Sequence, residues 1–215
     1  MFTASVTSKL VVSGLLAVAA VMAQNWEISG GVGFGAYHNG SISGPAGTAT
    51  AGFRNSYALT GAAGEDRFEH FSGEVRYVFH PGESFLESGA AKGSVTAYSH
   101  TFTYDVLFHW TKREAKMRPY VVAGPGAKYY SVTGTLPKPQ PVPAIAGLTA
   151  RSQWQPAFDF GAGVKFHVAE HVTVNAFLRD YVSLFPDRLY APAGSGKSSG
   201  VLHQVTPMVE IGYRF

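Results

Sequence analysis

The sequence predicts an all-β fold, an eight-stranded antiparallel transmembrane up-and-down β-barrel. Three observations lead to this prediction. Apolar and polar residues alternate through eight segments of about ten or more residues, and a period of two is the pattern of a strand. An uncharged apolar run lies near the N-terminus, and the chain ends on an alternating segment whose last residue is Phe215. The composition agrees, because glycine accounts for 25 of 215 residues while only 14% of the residues are charged.

The first 23 residues have the pattern of a secretory signal peptide. Lys9 is the only charged residue before an uncharged run of 14 residues from Leu10 to Ala23, and the polar sequence QNWE follows it. A positive start, a short apolar segment and a small residue before a polar one are typical of exported proteins. A membrane anchor is the less favoured alternative, since a spanning helix needs about 20 apolar residues. We expect cleavage after Ala23, which leaves one domain, the outer-membrane β-barrel, at residues 24–215.

Eight segments carry the alternating pattern. They are residues 25–39, 48–62, 67–79, 94–110, 118–132, 152–168, 172–185 and 202–215. The connections after the second, fourth and sixth segments are short, whereas those after the fifth and seventh are long. Outer-membrane barrels have short turns on the periplasmic side and long loops outside, so we expect both chain ends on the periplasmic side. The stretch 80–93 is intermediate in length, and whether part of it is strand is left open.

Prolines and loop composition add local expectations. Pro125, Pro156 and Pro207 fall inside predicted strands, where each removes one hydrogen-bond donor. We expect bulges or strand ends at these positions. The proline-rich segment 136–143 is predicted to be an extended surface chain, and the Gly/Ser-rich segment 193–200 a flexible loop.

The two faces of the predicted strands differ in chemistry, and this difference indicates the environment. The apolar face is expected to contact lipid and to end in aromatic residues at the membrane interfaces. The interfacial aromatic residues are Trp26, Trp110 and Tyr129. The opposite face carries glycine, serine and scattered charges of both signs. A soluble exported β-sandwich, in which the apolar face would point inward, is the alternative.

The polar face is predicted to line a narrow lumen. An eight-stranded barrel has an interior just wide enough for side chains to fill it. Because buried charges without partners are costly, we expect the charged residues to pair and plug the barrel. The predicted lumen charge network comprises Glu74, Arg76, Asp105, His109, Lys128, Asp159, Lys165, Arg179, Glu210 and Arg214. A narrow conducting pore is the alternative.

The signal peptide, the eight strands and the terminal sequence GYRF together resemble the small outer-membrane β-barrels of the OmpA/OmpX type. The resemblance covers residues 24–215 and implies a Gram-negative-type envelope. It also implies that the last strand is the sorting signal read by the barrel-assembly machinery. The residues in the signal positions are Val209, Ile211, Tyr213 and Phe215. The peptidoglycan-binding domain that follows the barrel in full-length members is not expected, and neither is anchorage to the cell wall.

The resemblance and the composition together set the expected partners and role. We expect a monomer that contacts outer-membrane lipid, and the assembly machinery and periplasmic chaperones during biogenesis. An unknown extracellular ligand is expected for the loops, which gives the protein a structural or surface-interaction role. No nucleic acid partner is expected, because the net charge is only +3 and the sequence contains no basic block.

The sequence contains no recognisable catalytic or metal-binding motif. Cysteine is absent and the eight histidines form no HExxH pattern, so we expect no enzyme, no cofactor and no metal site. A barrel enzyme that modifies lipid A is kept as an alternative. The sequence YSHTFTYD offers Ser99, His100 and Asp105 for that chemistry, but strand alternation places His100 on the face opposite the other two.

Overall fold

The computed structural model describes residues 26–215, which contain thirteen strands and one short 3-10 helix, Asp187–Leu189. The strands are β1 (Trp26–His38), β2 (Gly40–Gly44), β3 (Gly47–Phe53), β4 (Ser56–Glu65), β5 (Phe71–Ser88), β6 (Ala91–His109), β7 (Met117–Val132), β8 (Ala146–Leu148), β9 (Ser152–His167), β10 (Val172–Leu184), β11 (Tyr190–Pro192), β12 (Lys197–Ser199) and β13 (Val201–Arg214). Within this range no helix is long and apolar enough to cross a membrane. The predicted signal peptide, residues 1–23, lies outside the described residues.

Eight of these strands close into one antiparallel barrel, in the order β1, β4, β5, β6, β7, β9, β10 and β13. The circle is complete because β1 pairs with both β4 and β13, and β5 pairs with β6. Each barrel strand lies beside the next barrel strand in the chain, which is the up-and-down topology. The predicted fold class is therefore confirmed. The remaining strands lie at one end, where β12, β2 and β3 extend the sheet and β8 pairs with β11.

The predicted strand 48–62 is wrong in one respect, because the structure divides it into β3 and β4 with a break after Phe53. Side chains replace the strand ladder at this break. Asn39 Oδ1 accepts a hydrogen bond from the Phe53 N–H at 2.8 Å, and Asn55 Oδ1 accepts one from the Tyr37 N–H at 2.8 Å. Amide side chains that bond to nearby backbone compete with the regular ladder. As a result β4 remains in the barrel wall, whereas β3 pairs with the far part of β5.

The stretch 80–93 is almost entirely strand. β5 and β6 form one long hairpin whose register is constant from its open end to its turn. The turn contains Gly89 with a φ of 59°, a conformation that favours glycine. From Ser84 onward β5 pairs with β3 instead of β4, so the tip of the hairpin extends past the barrel wall.

The strand prolines interrupt ladders without shifting the register. The pairs on both sides of Pro125 between β6 and β7 keep one register, as do those on both sides of Pro207 between β1 and β13. The bulges predicted there were wrong, since loss of one donor removes a hydrogen bond but requires no extra residue. Pro156 lies inside β9 and pairs in register with Ala127 of β7, so the strand end predicted there was also wrong, although the β9–β10 pairs stop at Ala157.

Most apolar side chains of the barrel strands point outward, and most of the charged ones point into the lumen. Phe102, Phe158 and Ile211 are 43%, 48% and 66% exposed, whereas Glu74 and Lys165 are each only 8% exposed. A soluble sandwich would bury the first three residues and expose the other two. Such an apolar outer surface is costly in water and is the surface that a bilayer solvates. The predicted orientation of the two faces is therefore confirmed.

Candidate functional site in the barrel lumen

Arg76 of β5 joins three strands inside the lumen. Its Nε donates to Glu74 Oε1 at 2.9 Å, and its Nη1 donates to Thr60 Oγ1 at 2.9 Å. Arg76 also binds the Glu210 carboxylate at two points, one of which is the hydrogen bond from Nη2 to Oε2 at 3.2 Å. The side chain is fully buried, so these partners supply what water would otherwise provide. The alternation of β5 directs both Glu74 and Arg76 inward.

Arg179 of β10 binds three carboxylates. Its Nη1 donates to Asp105 Oδ2 at 2.5 Å and to Asp159 Oδ2 at 2.9 Å. Its Nη2 donates to Glu74 Oε1, the oxygen that also accepts from Arg76. Glu74 therefore links the two arginines into one network.

Hydroxyl and amide side chains complete this lumen network. Glu210 accepts hydrogen bonds from Thr60 Oγ1 at 3.2 Å and from Ser29 Oγ at 3.4 Å. Asn175 Nδ2 donates to the same carboxylate at 3.4 Å, and its Oδ1 accepts a bond from Tyr120 OH at 3.0 Å. All eight barrel strands contribute a member: Ser29 (β1), Thr60 (β4), Glu74 and Arg76 (β5), Asp105 (β6), Tyr120 (β7), Asp159 (β9), Asn175 and Arg179 (β10), and Glu210 (β13).

Glycines on the inward face leave the space that the network occupies. A Cβ added at Gly161 would lie 2.9 Å from Arg179 Cγ and 2.3 Å from the Leu178 carbonyl oxygen. A Cβ added at Gly31 would lie 2.6 Å from Glu210 Cγ. Because these distances are shorter than any real Cβ contact, glycine is required where the long charged side chains cross the lumen.

The guanidinium groups also pack on an aromatic ring. The Cζ atoms of Arg76 and Arg179 lie 4.7 and 5.1 Å from the centroid of Phe177. Two arginines and four carboxylates therefore share a space bounded by an apolar ring, and hydroxyl and amide groups also donate to the Glu210 carboxylate. This arrangement holds the charges in pairs inside the barrel.

A second set of ion pairs lies toward the short turns, and the sequence analysis missed half of it. Lys165 Nζ lies 2.9 Å from Glu27 Oε1. Arg118 is completely buried; its Nη1 binds Asp66, and its Nη2 donates to the Glu69 carbonyl oxygen at 3.3 Å. Counting by twos from the inward Tyr120 side chain would have placed Arg118 in the lumen.

His109 and Arg214, both predicted members of the network, make no ion pair in the part of the chain that the structure describes. His109 is buried in the lumen, where its Nε2 and Ser72 Oγ are 2.8 Å apart. Arg214 is the last residue of β13 and is only half-buried. It pairs in register with Glu27, but the Glu27 carboxylate binds Lys165 instead, so Arg214 stays at the rim.

Lys128 is isolated from the carboxylates of the network. Its ammonium group is completely buried and donates to Gln204 Oε1. It also lies 4.9 Å from the ring centroid of Tyr37 and 5.3 Å from that of Tyr130. Cation–π contact and an amide oxygen therefore replace a carboxylate at this position. Lys128 marks the boundary between the charged part of the lumen and an apolar part.

An apolar cap closes the lumen at the end that carries the long loops. We define the cap as the buried loop residues Val142, Ile145, Ala146, Leu148, Phe185, Leu189 and Tyr190, which pack on Ile42, Phe53 and Leu86. The segment 136–143 was predicted to be an extended surface chain, and this was wrong for Val142, which is buried in the cap. Burial of apolar loop side chains over the open end stabilises a closed mouth.

Tyr190 fixes the cap to the barrel rim. Its hydroxyl donates to the Gly52 carbonyl oxygen at 2.8 Å and lies 2.8 Å from Ser84 Oγ. Its ring stacks on Phe185 with centroids 5.2 Å apart. Burial raises the pKa of the Tyr190 hydroxyl, so the cap holds this side chain in its neutral form.

The predicted assembly-signal residues share one face of the last strand. Val209, Ile211, Tyr213 and Phe215 all lie on the exposed outer face of β13 or directly after it. The Phe215 N–H donates to the Trp26 carbonyl oxygen at 3.0 Å, which joins the end of the chain to the first barrel strand.

The predicted interfacial aromatic residues lie near both ends of the barrel wall. Trp26 and Trp110 are exposed near the short turns. Tyr129 is half-buried on the outer wall nearer the long loops, with its ring centroid 5.0 Å from that of Trp154.

The residues considered for lipid chemistry are separated. Ser99 is buried in the lumen 3.1 Å from the Tyr37 hydroxyl, whereas His100 lies on the outer wall 2.7 Å from the Tyr77 hydroxyl. Asp105 belongs to the lumen network. Residues 26–215 contain no group of three or more histidine, cysteine or acidic residues that could hold a metal ion.

Solved structures of outer-membrane proteins share this architecture at low sequence identity. OprG from Pseudomonas aeruginosa is 14% identical, with 90% of this chain and 97% of that chain covered and a TM-score of 0.56. Neisserial surface protein A is 13% identical, with 88% and 97% covered and a TM-score of 0.51. The chain has the fold of outer-membrane β-barrels.

The similarity extends to an enzyme as well. The outer membrane protease OmpT from Escherichia coli is 9% identical, with 90% of this chain and 97% of that chain covered and a TM-score of 0.50. No protein-family model and no curated protein matches the chain. The fold is therefore shared by proteins with different activities, and function has to be argued from the residues of this lumen and wall.

Proposed function

We propose that the protein is a non-conducting barrel of the outer membrane, exported through a cleaved signal peptide, whose role is structural or one of surface interaction. The observation that carries this proposal is the lumen network, which has a member on every barrel strand. Its two arginines cross the lumen, and each is held by several bonds. An ion would have to break these buried pairs to pass, and breaking one such pair costs about 3–5 kcal/mol.

The apolar cap supports the same conclusion independently. It lies in series with the lumen network, and the buried Lys128, which contacts Tyr37 and Tyr130 of the apolar cluster, lies between the two. An ion that passed the network would meet the buried apolar side chains of the cap, among which its charge is strongly disfavoured. A narrow pore is therefore the less favoured function.

Conductance across a planar lipid bilayer tests this proposal. The wild-type protein should insert without producing current steps. A variant that lacks the cap segment 136–148 should also stay closed, because the lumen network remains. Its folding can be checked by the shift in gel mobility that a folded barrel shows before boiling. Reproducible single-channel steps from the wild-type protein would overturn the proposal.

The surface-interaction role is supported by the β5–β6 hairpin, whose tip extends past the wall. An epitope inserted after Gly89 should be detected by antibody on intact cells. Detection only after lysis would contradict the placement of the long loops outside.

We infer a role without catalysis from the outer wall and the lumen together. Ser99, His100 and Asp105 do not meet. The outward pair of His203 and Asp180, 2.7 Å apart, makes no hydrogen bond to a hydroxyl group within residues 26–215. Incubation of the purified barrel with lipopolysaccharide should release no acyl chain, and release would favour the lipid A-modifying alternative.

A further inference from the structure

A groove of about 330 Å³ opens on the outer wall beside the turn between β4 and β5. Its lining includes the small residues Ala63 and Gly73, together with the apolar side chains of Val75, Tyr104 and Val106. Gly73 is next to the ring of Tyr104, and an added Cβ would lie 3.3 Å from the tyrosine hydroxyl. The absence of larger side chains at these two positions is what makes the groove.

Aromatic residues line the end of the groove that is nearest the short turns. Trp26 begins β1, Phe71 begins β5, and Phe68 lies in the turn between β4 and β5. All three rings are exposed to the surroundings of the barrel. Aromatic residues in such a position lie at the level of lipid headgroups in membrane proteins. The groove therefore runs from headgroup level into the apolar part of the wall.

Two oppositely charged side chains line the same groove without a bonding partner in the described part of the chain. Glu65 and Arg67 are both lining residues. Within residues 26–215, neither side chain makes a hydrogen bond or an ion pair, with each other or with any other group. Asp66, which lies between them in the chain, is bound to Arg118 in the lumen. The turn thus pairs one of its charges internally and presents two others to the groove.

We propose that this groove binds a phospholipid whose headgroup carries a primary ammonium next to its phosphate. The inference rests on the membrane placement proposed above. Arg67 offers a fork of N–H donors to the phosphate, and Glu65 accepts hydrogen bonds from the ammonium. One acyl chain lies over Ala63 and Gly73, against the neighbouring apolar wall. Such a headgroup carries one charge of each sign, as do the two lining residues Glu65 and Arg67.

A second groove, on the part of the outer wall formed by β6, β7, β9 and β10, provides an internal control. It is lined by Phe160, Ala162 and Leu178, among other apolar residues. Its charged lining residues within the described range are Arg179 and Asp180, which bind Asp105 and His203. This groove offers apolar contact without a free charge, so it should hold acyl chains without selecting a headgroup.

Native mass spectrometry of the purified full barrel tests the proposal. The barrel is incubated with an equimolar mixture of three phospholipids that have identical acyl chains and ethanolamine, choline or glycerol headgroups. The ethanolamine lipid should be retained preferentially, because the choline ammonium has no N–H donor and the glycerol headgroup has no positive charge.

Charge variants of the groove should lose this preference. Arg67→Gln and Glu65→Gln should each lower the enrichment of the ethanolamine lipid by about threefold, the size expected for partly exposed ion pairs. Lys116→Gln and Glu170→Gln neutralise exposed charges in other short turns and should leave the enrichment unchanged. Ala63→Leu should reduce retention by filling the groove, whereas Ala162→Leu in the second groove should not change the headgroup preference.

Equal retention of the three lipids, or an unchanged preference in both charge variants, would overturn the proposal. Failure of the barrel to insert into lipid vesicles would instead overturn the membrane placement. A barrel that inserts and shows the folded gel mobility but does not select the ethanolamine lipid loses only the groove assignment.

Discussion

Arg179 on β10 binds Glu74 on β5, the strand diametrically opposite in the barrel. The same Glu74 oxygen accepts a hydrogen bond from Arg76 Nε at 2.9 Å. A direct contact across the lumen fixes the separation of opposite walls, and the shared oxygen couples this contact to the rest of the network. Side chains in the lumen therefore cross-link strands that are not neighbours in the sheet.

Removal of Arg179 should be strongly destabilising. Arg179→Met leaves Asp105, Asp159 and Glu74 buried without their shared cation, so we expect a loss of about 3–5 kcal/mol in the free energy of unfolding. Urea unfolding in lipid vesicles, followed by tryptophan fluorescence, measures this loss. Arg151→Met, at an exposed loop residue, is the control and should change stability by less than about 0.5 kcal/mol. Equal effects of the two substitutions would contradict the importance of the lumen network.

A second substitution should recover part of that loss. Adding Asp105→Asn to Arg179→Met removes one of the uncompensated charges, so the double variant should be more stable than Arg179→Met alone by about 1 kcal/mol or more. The same unfolding experiment gives the comparison. A double variant whose loss equals the sum of the two single losses would show that the residues act independently, against the contact at 2.5 Å.

Adjacent residues on β9 should respond differently because they face opposite environments. Val164→Arg places a charge on the lipid face between the middle of the wall and the rim, and should cost about 1–2 kcal/mol. Lys165→Gln removes one partner of Glu27 near the barrel rim, where the amide can still donate a hydrogen bond, so the loss should be smaller. Folding yields into vesicles and urea midpoints measure both. Equal tolerance at the two positions would mean that the faces are inverted.

The cap should loosen at alkaline pH. The pKa of Tyr190 is raised by burial above that of the unfolded loop, which is about 10. Its contribution is therefore complete below pH about 10 and is lost as the pH rises beyond that value. Protease cleavage within 136–148 should accelerate above this pH in the wild-type protein and depend less on pH in Tyr190→Phe. An identical pH dependence in both proteins would show that ionisation of Tyr190 does not loosen the cap.

The last residue should matter for assembly more than for the folded wall. Phe215→Ser removes the end of the predicted sorting signal, so less protein should reach the folded, heat-modifiable form in cells. Phe68→Ser changes another exposed aromatic residue near the short turns and is the control. A similar folded fraction in the two variants would show that Phe215 does not act as part of a sorting signal.

Alternation along single strands was enough to predict the barrel and much of its interior. Inward positions such as Arg76 and Arg179 follow from the period of two, because each side chain is placed by its own strand. Phe102 and Ile211 were predicted to face lipid by the same rule, and both are exposed. These assignments need no knowledge of which strands are neighbours.

Contacts made by turns and loops could not be predicted in this way. Arg118 binds Asp66 from a turn that is distant in sequence, and no periodic pattern connects the two. Val142 joins the cap only because two loops and the β2–β3 extension meet over the same mouth. The break after Phe53 depends on two asparagine side chains that replace ladder bonds. All of these contacts join segments that are separated in the sequence, so local sequence patterns do not predict them.

Glu210 can reach Arg76 only when the first and last strands of the wall have met, since β13 brings this carboxylate into position beside β1. An unsealed sheet would hold the Arg76 guanidinium with Glu74 but without its second acidic partner. Pairing of β13 with β1 thus gives Arg76 its second carboxylate, which an incomplete or mis-registered wall would not provide. Closure of the barrel and complete pairing of the Arg76 guanidinium therefore occur together. A wrongly joined barrel would lack this ion pair and would be less stable.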